Sequence, residues 1–341
     1  MRTFLWALLL FVAVMPGQTG HLPPPDTLRL MFWNLENFFD YRNDSTSVSD
    51  AEFSSRGERR WTRKRFTAKC NAVAKGILWA GGAEGGLPDV IGLAEVENAF
   101  VLKRLLQETA LRKLDYQYVH FDSPDPRGID VALLYRSTRL TLVDARPCHL
   151  FQADTILSTR DILLARFRGP GGSLAVLVNH HPSKFSGASA SEARRRLAVE
   201  RLRFLADSLS ALGEERMVAL GDFNDTPEKP VYKLLQPVFI PLAEPLHRAG
   251  KGSIKYDGKW DLIDQIYVTP ACLPGPLASE PTRALPSGAG TVAMKILYIP
   301  FLQEQDPAHG GTKPLRTYSG PRYLCGVSDH CPVWLSLPVP P

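Results

Sequence analysis

Along this chain, short and largely apolar runs end repeatedly in Asn, Asp, Glu or His. Leu28–Trp33 closes on Asn34, Val90–Ala94 on Glu95, Leu174–Val178 on Asn179 and His180, and Met217–Leu220 on Gly221-Asp222-Phe223-Asn224. Such runs, bounded by polar and turn-forming residues, predict buried strands that hand over to loops. Between the first two, Phe66, Cys70, Val73, Ile77 and Ala80 recur at steps of four, three, four and three, the stripe of a helix packed on a sheet. Asn98 is a fitting cap for a second helix through Leu102, Leu105, Leu106 and Thr109. Two strand–helix units in succession predict an α/β layered fold.

The texture then changes. Tyr116–His120, Val131–Tyr135, Leu140–Val143, Ile162–Phe167 and Leu174–Val178 are short strands separated by turn clusters, with no helix between them. They predict an antiparallel meander forming one side of a sheet. A further helix turns Ala198, Leu202, Leu205, Leu209 and Leu212 inward, and Arg194, Arg195, Arg196, Arg201 and Arg203 mostly outward. Two later strands are expected: Ile263–Val268, with Asp264 near its start, and Cys331–Leu337, preceded by Ser328-Asp329-His330. Residues 269–324, rich in Pro and Gly, read as a surface excursion.

Composition adds less. A content of 44% hydrophobic and 22% charged residues is that of an ordinary globular protein. Residues 1–20 start with Arg2, run apolar from Phe4 to Val14 and turn to Pro16, Gly17 and Gly20. That is the layout of a secretory signal, too short for a membrane span. Residues 21–27 read as a Pro-rich tether and 28–337 as one domain, so the expectation is an exported protein with no membrane span after signal removal. Losing Arg2 would take the formal charge of +5 down by one, mildly basic and compatible with a polyanionic partner. Five cysteines are too few for a disulfide scaffold; Cys70 falls on the helix stripe, and a bridge between Cys325 and Cys331 is left open.

The segment Gly221-Asp222-Phe223-Asn224-Asp225-Thr226-Pro227 is, by itself, also an ordinary turn sequence. The recurrence of polar strand ends favours a site. If these ends share one sheet edge, Asn34, Glu95, His180, Asp222, Asn224, Asp264, Asp329 and His330 form one cluster. Its oxygen donors, with no Cys/His zinc spacing, favour magnesium, manganese or calcium over zinc. A histidine held by a carboxylate is suited to activating water. Ser328-Asp329-His330 is not a hydrolase triad, because adjacent residues point in different directions and no Gly-x-Ser-x-Gly elbow is present.

With these motifs in order, Trp33-Asn34-Leu-Glu-Asn37, Leu93-Ala-Glu95, Asn179-His180, Gly221-Asp222-Phe223-Asn224, Ile263-Asp264 and Ser328-Asp329-His330, the chain resembles the endonuclease/exonuclease/phosphatase superfamily over residues 28–337. The resemblance implies a four-layer α/β sandwich of two packed, helix-covered sheets. It implies Glu95 as principal metal ligand with Asn34 and Asp329 beside it, His330 as general base oriented by Asp264, and Asp222 positioning the nucleophile or protonating the leaving group. It further implies that Asn224 and His180 bind the scissile phosphate, and that Arg160 contacts phosphate as in deoxyribonuclease I-like members. Asp130 either orients His180 or caps a surface turn. Glu97 stands where an arginine sometimes follows the metal-binding glutamate, which weakens the analogy to minor-groove DNA binding. Lys255-Tyr256 and Arg316-Thr317-Tyr318 are candidates for substrate specificity. The basic runs Arg59–Arg65 and Arg194–Arg203 read first as charged outer faces of amphipathic helices.

The expectation is therefore an exported, Mg²⁺- or Mn²⁺-dependent phosphodiesterase, most simply a nuclease with nucleic acid as its partner and no stable protein partner implied. The alternatives are a phosphoesterase for small metabolites or lipid headgroups, and an inactive binding module.

Overall fold

The computed structural model describes residues 27–44, 47–183, 188–274 and 292–339, with the side chains of 188–190 also outside the description. The expected signal at 1–20, and all of the tether except Thr27, lie outside the described residues. In chain order the main elements are β1 (Thr27–Phe38), α1 (Arg63–Ala83), β2 (Val90–Val96), α2 (Ala99–Glu108), β3 (Tyr116–His120), β4 (Asp130–Arg136), β5 (Thr141–Cys148), β6 (Ile162–Gly169) and β7 (Gly172–His180). They continue with α3 (Ala188–Ala211), β8 (Met217–Asp222), β9 (Ile240–Pro241), β10 (Asp264–Val268), β11 (Met294–Ile296) and β12 (Val333–Pro338).

Two six-stranded sheets result, in the orders β11-β12-β1-β2-β4-β3 and β9-β10-β8-β7-β6-β5. Period-two alternation then builds the layers. On β1, Met31, Trp33 and Leu35 face α1 and α2, while Leu28, Leu30 and Phe32 face the other sheet. On β8, Val218 and Leu220 point to that same central interior, and Met217 and Ala219 pack under α3. The order is thus helices, sheet, sheet, helix: the four-layer sandwich. Each fully buried Leu or Phe side chain in these three cores contributes on the order of 1.5–3 kcal/mol. The sheets approach closely at Gly92, where an added Cβ would lie 2.3 Å from Leu220 Cδ1.

Four expectations need correction. The five-strand meander does not stay in one sheet: β3 and β4 complete the first, and β5, β6 and β7 build the second, so the chain changes layers between Arg136 and Thr141. Leu212 is exposed because the helix ends at Ala211. Arg195 is buried rather than outward, its charge balanced by Asp225 at 3.2 Å. Cys325 and Cys331 are not bridged; Cys325 is exposed and Cys331 is buried with its thiol against Gln303.

The excursion after β10 is only partly irregular. Met294–Ile296 adds an edge strand to the first sheet, and Gln303–Gln305 pairs with Thr312–Pro314.

Candidate active site

The site forms at one edge of the sandwich. There the carboxyl ends of the parallel pairs β1–β2 and β7–β8 meet the amino ends of the antiparallel strands β4, β10 and β12. Strand register places the residues: Asp222 lies opposite both His180 and Asp264 in the second sheet. In the first, Asn34 pairs with Ala94, one residue before Glu95, and Val333 opposite Phe32 brings His330 just beyond the same edge.

His330 is the centre. Its Nδ1 lies 2.7 Å from Asp264 Oδ2, and its Nε2 is 3.9 Å from both Asp222 and Asp329. Trp33 Nε1 donates to its carbonyl at 3.0 Å, and Ser328 Oγ accepts from its backbone N–H while donating to the Asn34 carbonyl. The histidine backbone is therefore locked to β1. Burial alone would lower the basicity of this ring, but the carboxylates of Asp264, Asp222 and Asp329 hold its pKa well above the ordinary histidine value. Asp222 accepts from Asn34 Nδ2 at 3.0 Å and from the Asn224 backbone N–H at 2.8 Å, with His180 Nε2 at 3.7 Å. Burial, reinforced by the charge of Asp264 and opposed by His330, pushes its pKa up to about 7.

The other side of the cleft is more open. Glu95 accepts from the Asn37 backbone N–H at 2.7 Å and stands 3.4 Å from Asn34 Nδ2. Three residues here take left-handed backbone, Glu36 at φ 46°, Asn37 at 52° and Glu95 at 60°, as does Asn224 across the cleft at 53°. Non-glycine residues held this way carry strain and cluster where a site is built. Arg316 bridges Glu36 (2.7 Å) and Asp329 (3.0 Å). Burial, then the neighbouring Asp329, pushes Glu36 up to about 7, against the pull of Arg316 and Lys69. Lys69 lies fully inside the first helix layer, its Nζ donating to the Glu36 carbonyl and to Thr317 Oγ1, and burial lowers its pKa to about 8.

Sequence reasoning missed Glu36 and Lys69 as members of this cluster. The signal was present: Glu36 follows Asn34 by two at the same polar strand end, and Lys69 interrupts the stripe between Phe66 and Val73 at helical spacing.

Other assignments change. Asp130 does not orient His180; it holds His120 at 3.1 Å and accepts from the Ser123 N–H, the turn-capping reading. His180 Nδ1 is buried with no hydrogen-bond partner, and burial with the charges of Arg160 and Arg127 keeps this ring neutral. Arg160 is nearly fully buried and committed to Asp125 (2.8 Å) and to the His181 carbonyl, so it frames the cleft wall. Asn224 Nδ2 donates to that same carbonyl at 2.8 Å. His181 packs on Phe223 and is held down to about pKa 3 by burial and by Arg160 and Arg195. Glu97 turns away, accepting from the Asp40 N–H at 2.7 Å; burial, then a hydrogen bond with Asp50, raises it to about 9. Lys255 is tied to Asp306 at 2.9 Å, while Tyr256 is exposed. Beside the cleft lies a cavity of about 490 Å³ whose wall includes Asn37, Arg127, Arg160 and Arg194.

The donor set suits a hard divalent cation. Glu36, Glu95, Asp222, Asp264 and Asp329 outnumber the nearby cations, and burial pushes two of these carboxyl groups, Glu36 and Asp222, up to about 7. Asp222, Asp264 and His330, with polar atoms within 4.8 Å of one another, form a separate group beside Glu36, Glu95 and Asp329. Such oxygen-rich sites take magnesium or manganese.

Comparison with known proteins points the same way. The profile of the endonuclease/exonuclease/phosphatase family matches residues 29–338. Among solved structures, the chain is similar to D. rerio TDP2 complexed with single strand DNA product (TM-score 0.51, 15% identity, 91% of this chain and 98% of that one). It is similar to the human Nocturnin catalytic domain with bound sulfate anion (0.51, 16%, 92% and 94%). It is also similar to a Bacteroides thetaiotaomicron mannosyl-6-phosphatase (0.51, 15%, 91% and 99%). At these identities the likeness establishes the fold. No curated protein matches the sequence.

Proposed function

Because this chain belongs to the endonuclease/exonuclease/phosphatase family, we propose that it is a divalent-metal-dependent phosphodiesterase that hydrolyses phosphodiester bonds of single-stranded nucleic acid. The observation that carries the chemistry is His330, with Asp264 at 2.7 Å on one nitrogen and the carboxylates of Asp222 and Asp329 each 3.9 Å from the other.

Neutral His330 accepts the proton of a water at Nε2 as that water's oxygen attacks phosphorus. Asp264, on Nδ1, fixes the tautomer and stabilises the imidazolium that forms. Asp222, with its pKa near 7, donates a proton to the leaving oxygen as the P–O bond breaks, or positions the water. His180 and Asn224 flank the place where the phosphoryl oxygens sit. Glu95, with Asn34 and Asp329, would hold a divalent cation, which when bound would neutralise the charge that builds on those oxygens.

Nucleic acid is favoured by the mildly basic sequence and by the fold's likeness to a protein solved with a DNA product. The second reading, a phosphatase for small phosphorylated compounds, is favoured by the compact arginine-lined cavity beside the cleft and the likeness to a mannosyl-6-phosphatase. Export remains part of the proposal and rests on residues 1–20 alone.

The test is hydrolysis of a single-stranded oligonucleotide and of a sugar monophosphate, with magnesium, manganese or EDTA, for the wild type and Glu95→Ala and His330→Ala. Metal-dependent cleavage of the oligonucleotide that both substitutions abolish supports the nuclease. Hydrolysis of the sugar phosphate alone selects the second reading, and unchanged turnover in both variants removes this site.

A further inference from the structure

The cavity of about 490 Å³ shares a wall with the catalytic cleft, while most of its lining lies outside it. Asn37 belongs to both, its backbone N–H holding Glu95. Arg160 belongs to both as well, through the His181 carbonyl that also accepts from Asn224. Four arginines line the cavity, Arg59, Arg127, Arg160 and Arg194, against two carboxylates, Glu52 and Asp125. Those carboxylates are taken: Glu52 holds Arg59 at 2.7 Å, and Asp125 holds Arg160 at 2.8 Å.

Two guanidinium charges remain over. Arg127 stands 3.7 Å from the already engaged Asp125 and is partly exposed. Arg194 meets, among the described residues, only the Ser158 carbonyl, at 2.9 Å. The Ser49 and Ser183 residues line the same space. Planar cations with hydroxyl donors around a volume of this size match a phosphoryl group and the small unit that carries it.

Resting on the phosphoesterase reading above, we propose that this cavity binds a second phosphoryl group of the substrate, with Arg127 and Arg194 as its counter-charges. The enzyme then selects substrates in which an uncleaved phosphate lies one unit from the scissile one. That second phosphate comes either from the next position of a nucleic-acid strand or from a small bisphosphorylated compound.

The test compares paired substrates on the full chain: a 5′-phosphorylated against a 5′-hydroxyl dinucleotide, in which the 5′-phosphate is the one uncleaved phosphate beside the scissile diester, and a sugar bisphosphate against the sugar monophosphate. The wild type is expected to show at least a tenfold higher kcat/KM, mainly through KM, for the doubly phosphorylated member of one pair. Which pair shows it identifies the source. Arg127→Ala and Arg194→Ala should each reduce that preference roughly tenfold, whereas Lys103→Ala, on the exposed face of α2, retains it. Equal kcat/KM within both pairs, or variants that keep the preference, overturns the proposal.

Should no substrate be turned over, the catalytic reading fails separately, and binding still decides the cavity. Calorimetric titration with inorganic pyrophosphate should give a Kd at least tenfold weaker in Arg127→Ala and Arg194→Ala than in the wild type. Equal affinity overturns the proposal.

Discussion

The two sheets furnish the site in different ways. The second sheet holds its residues inside the ladder: His180, Asp222 and Asp264 sit in register on three adjacent strands, all nearly fully buried. The first sheet places Glu36, Asn37 and Glu95 past the regular strand geometry, on left-handed backbone, with Arg316 lying across Glu36 and Asp329. Proton transfer needs groups fixed to a few tenths of an ångström, and a hydrogen-bonded ladder fixes them. Holding a cation needs carboxylates that can settle around it, and strained, half-open turns leave them that freedom.

The largest effect expected from breaking this division is on the ladder side. Asp264→Asn should lower kcat by about 10²–10⁴-fold while leaving the Kd for manganese, by calorimetry, within a few-fold. The same variant fixes the sign of the pH dependence. His330 works when neutral, so the rate rises as pH increases through its raised pKa. Removing the Asp264 charge lowers that pKa, and the acid limb of kcat/KM should move to lower pH. A large loss of metal affinity instead would erase the distinction between the halves.

Glu95→Gln should do the reverse, weakening manganese binding by roughly 10–100-fold, the scale on which altered metal-site residues act. Added metal should then restore much of the rate; failure of added metal to do so would place Glu95 in the proton chemistry. Behind the first sheet, Glu97 has a folded-state pKa of about 9. Since that lies above its unfolded value, its contribution to stability is full below about pH 4.5 and disappears as pH rises through 9. Its slope is at most about 1.4 kcal/mol per pH unit, and Glu97→Gln should flatten this part of the curve of unfolding free energy against pH.

The smallest effect concerns Arg316. Arg316→Ala removes a cation that competes for Asp329, so manganese should bind a few-fold more tightly, within the roughly 1 kcal/mol of a half-exposed ion pair. Weaker binding would make Arg316 a support for the ligands instead.

How much of this was legible in the sequence follows from where its information is local. The apolar runs of β1, β2 and β8 and the stripes of α1 and α2 announce themselves, because burial on one or both faces dictates composition directly. The polar residue ending each run could be read for the same reason: beyond the last buried position nothing apolar is required. The division of the meander between two sheets could not be read, since nothing in the run of short strands marks where one sheet ends and only tertiary pairing sends β4 and β5 apart. Lys69 and Arg195 were concealed for another reason. A charged residue on a buried stripe looks like noise until its partners, Glu36 and Thr317 in one case and Asp225 in the other, are known from distant segments. Arg160 kept its place but lost its freedom to Asp125.

The insertion of β12 between β11 and β1 has a consequence for how the molecule forms. The second sheet draws its strands from residues 141–268, whereas the first stays split until residues 333–338 arrive to pair with both 27–32 and 294–296. Closure over so long a stretch of sequence is slow. Hydrogen exchange during refolding is expected to protect the amides of β7 and β8 before those of β1. The segment bearing the proposed general base is then expected among the last to dock, which would make a half-assembled chain an inert one.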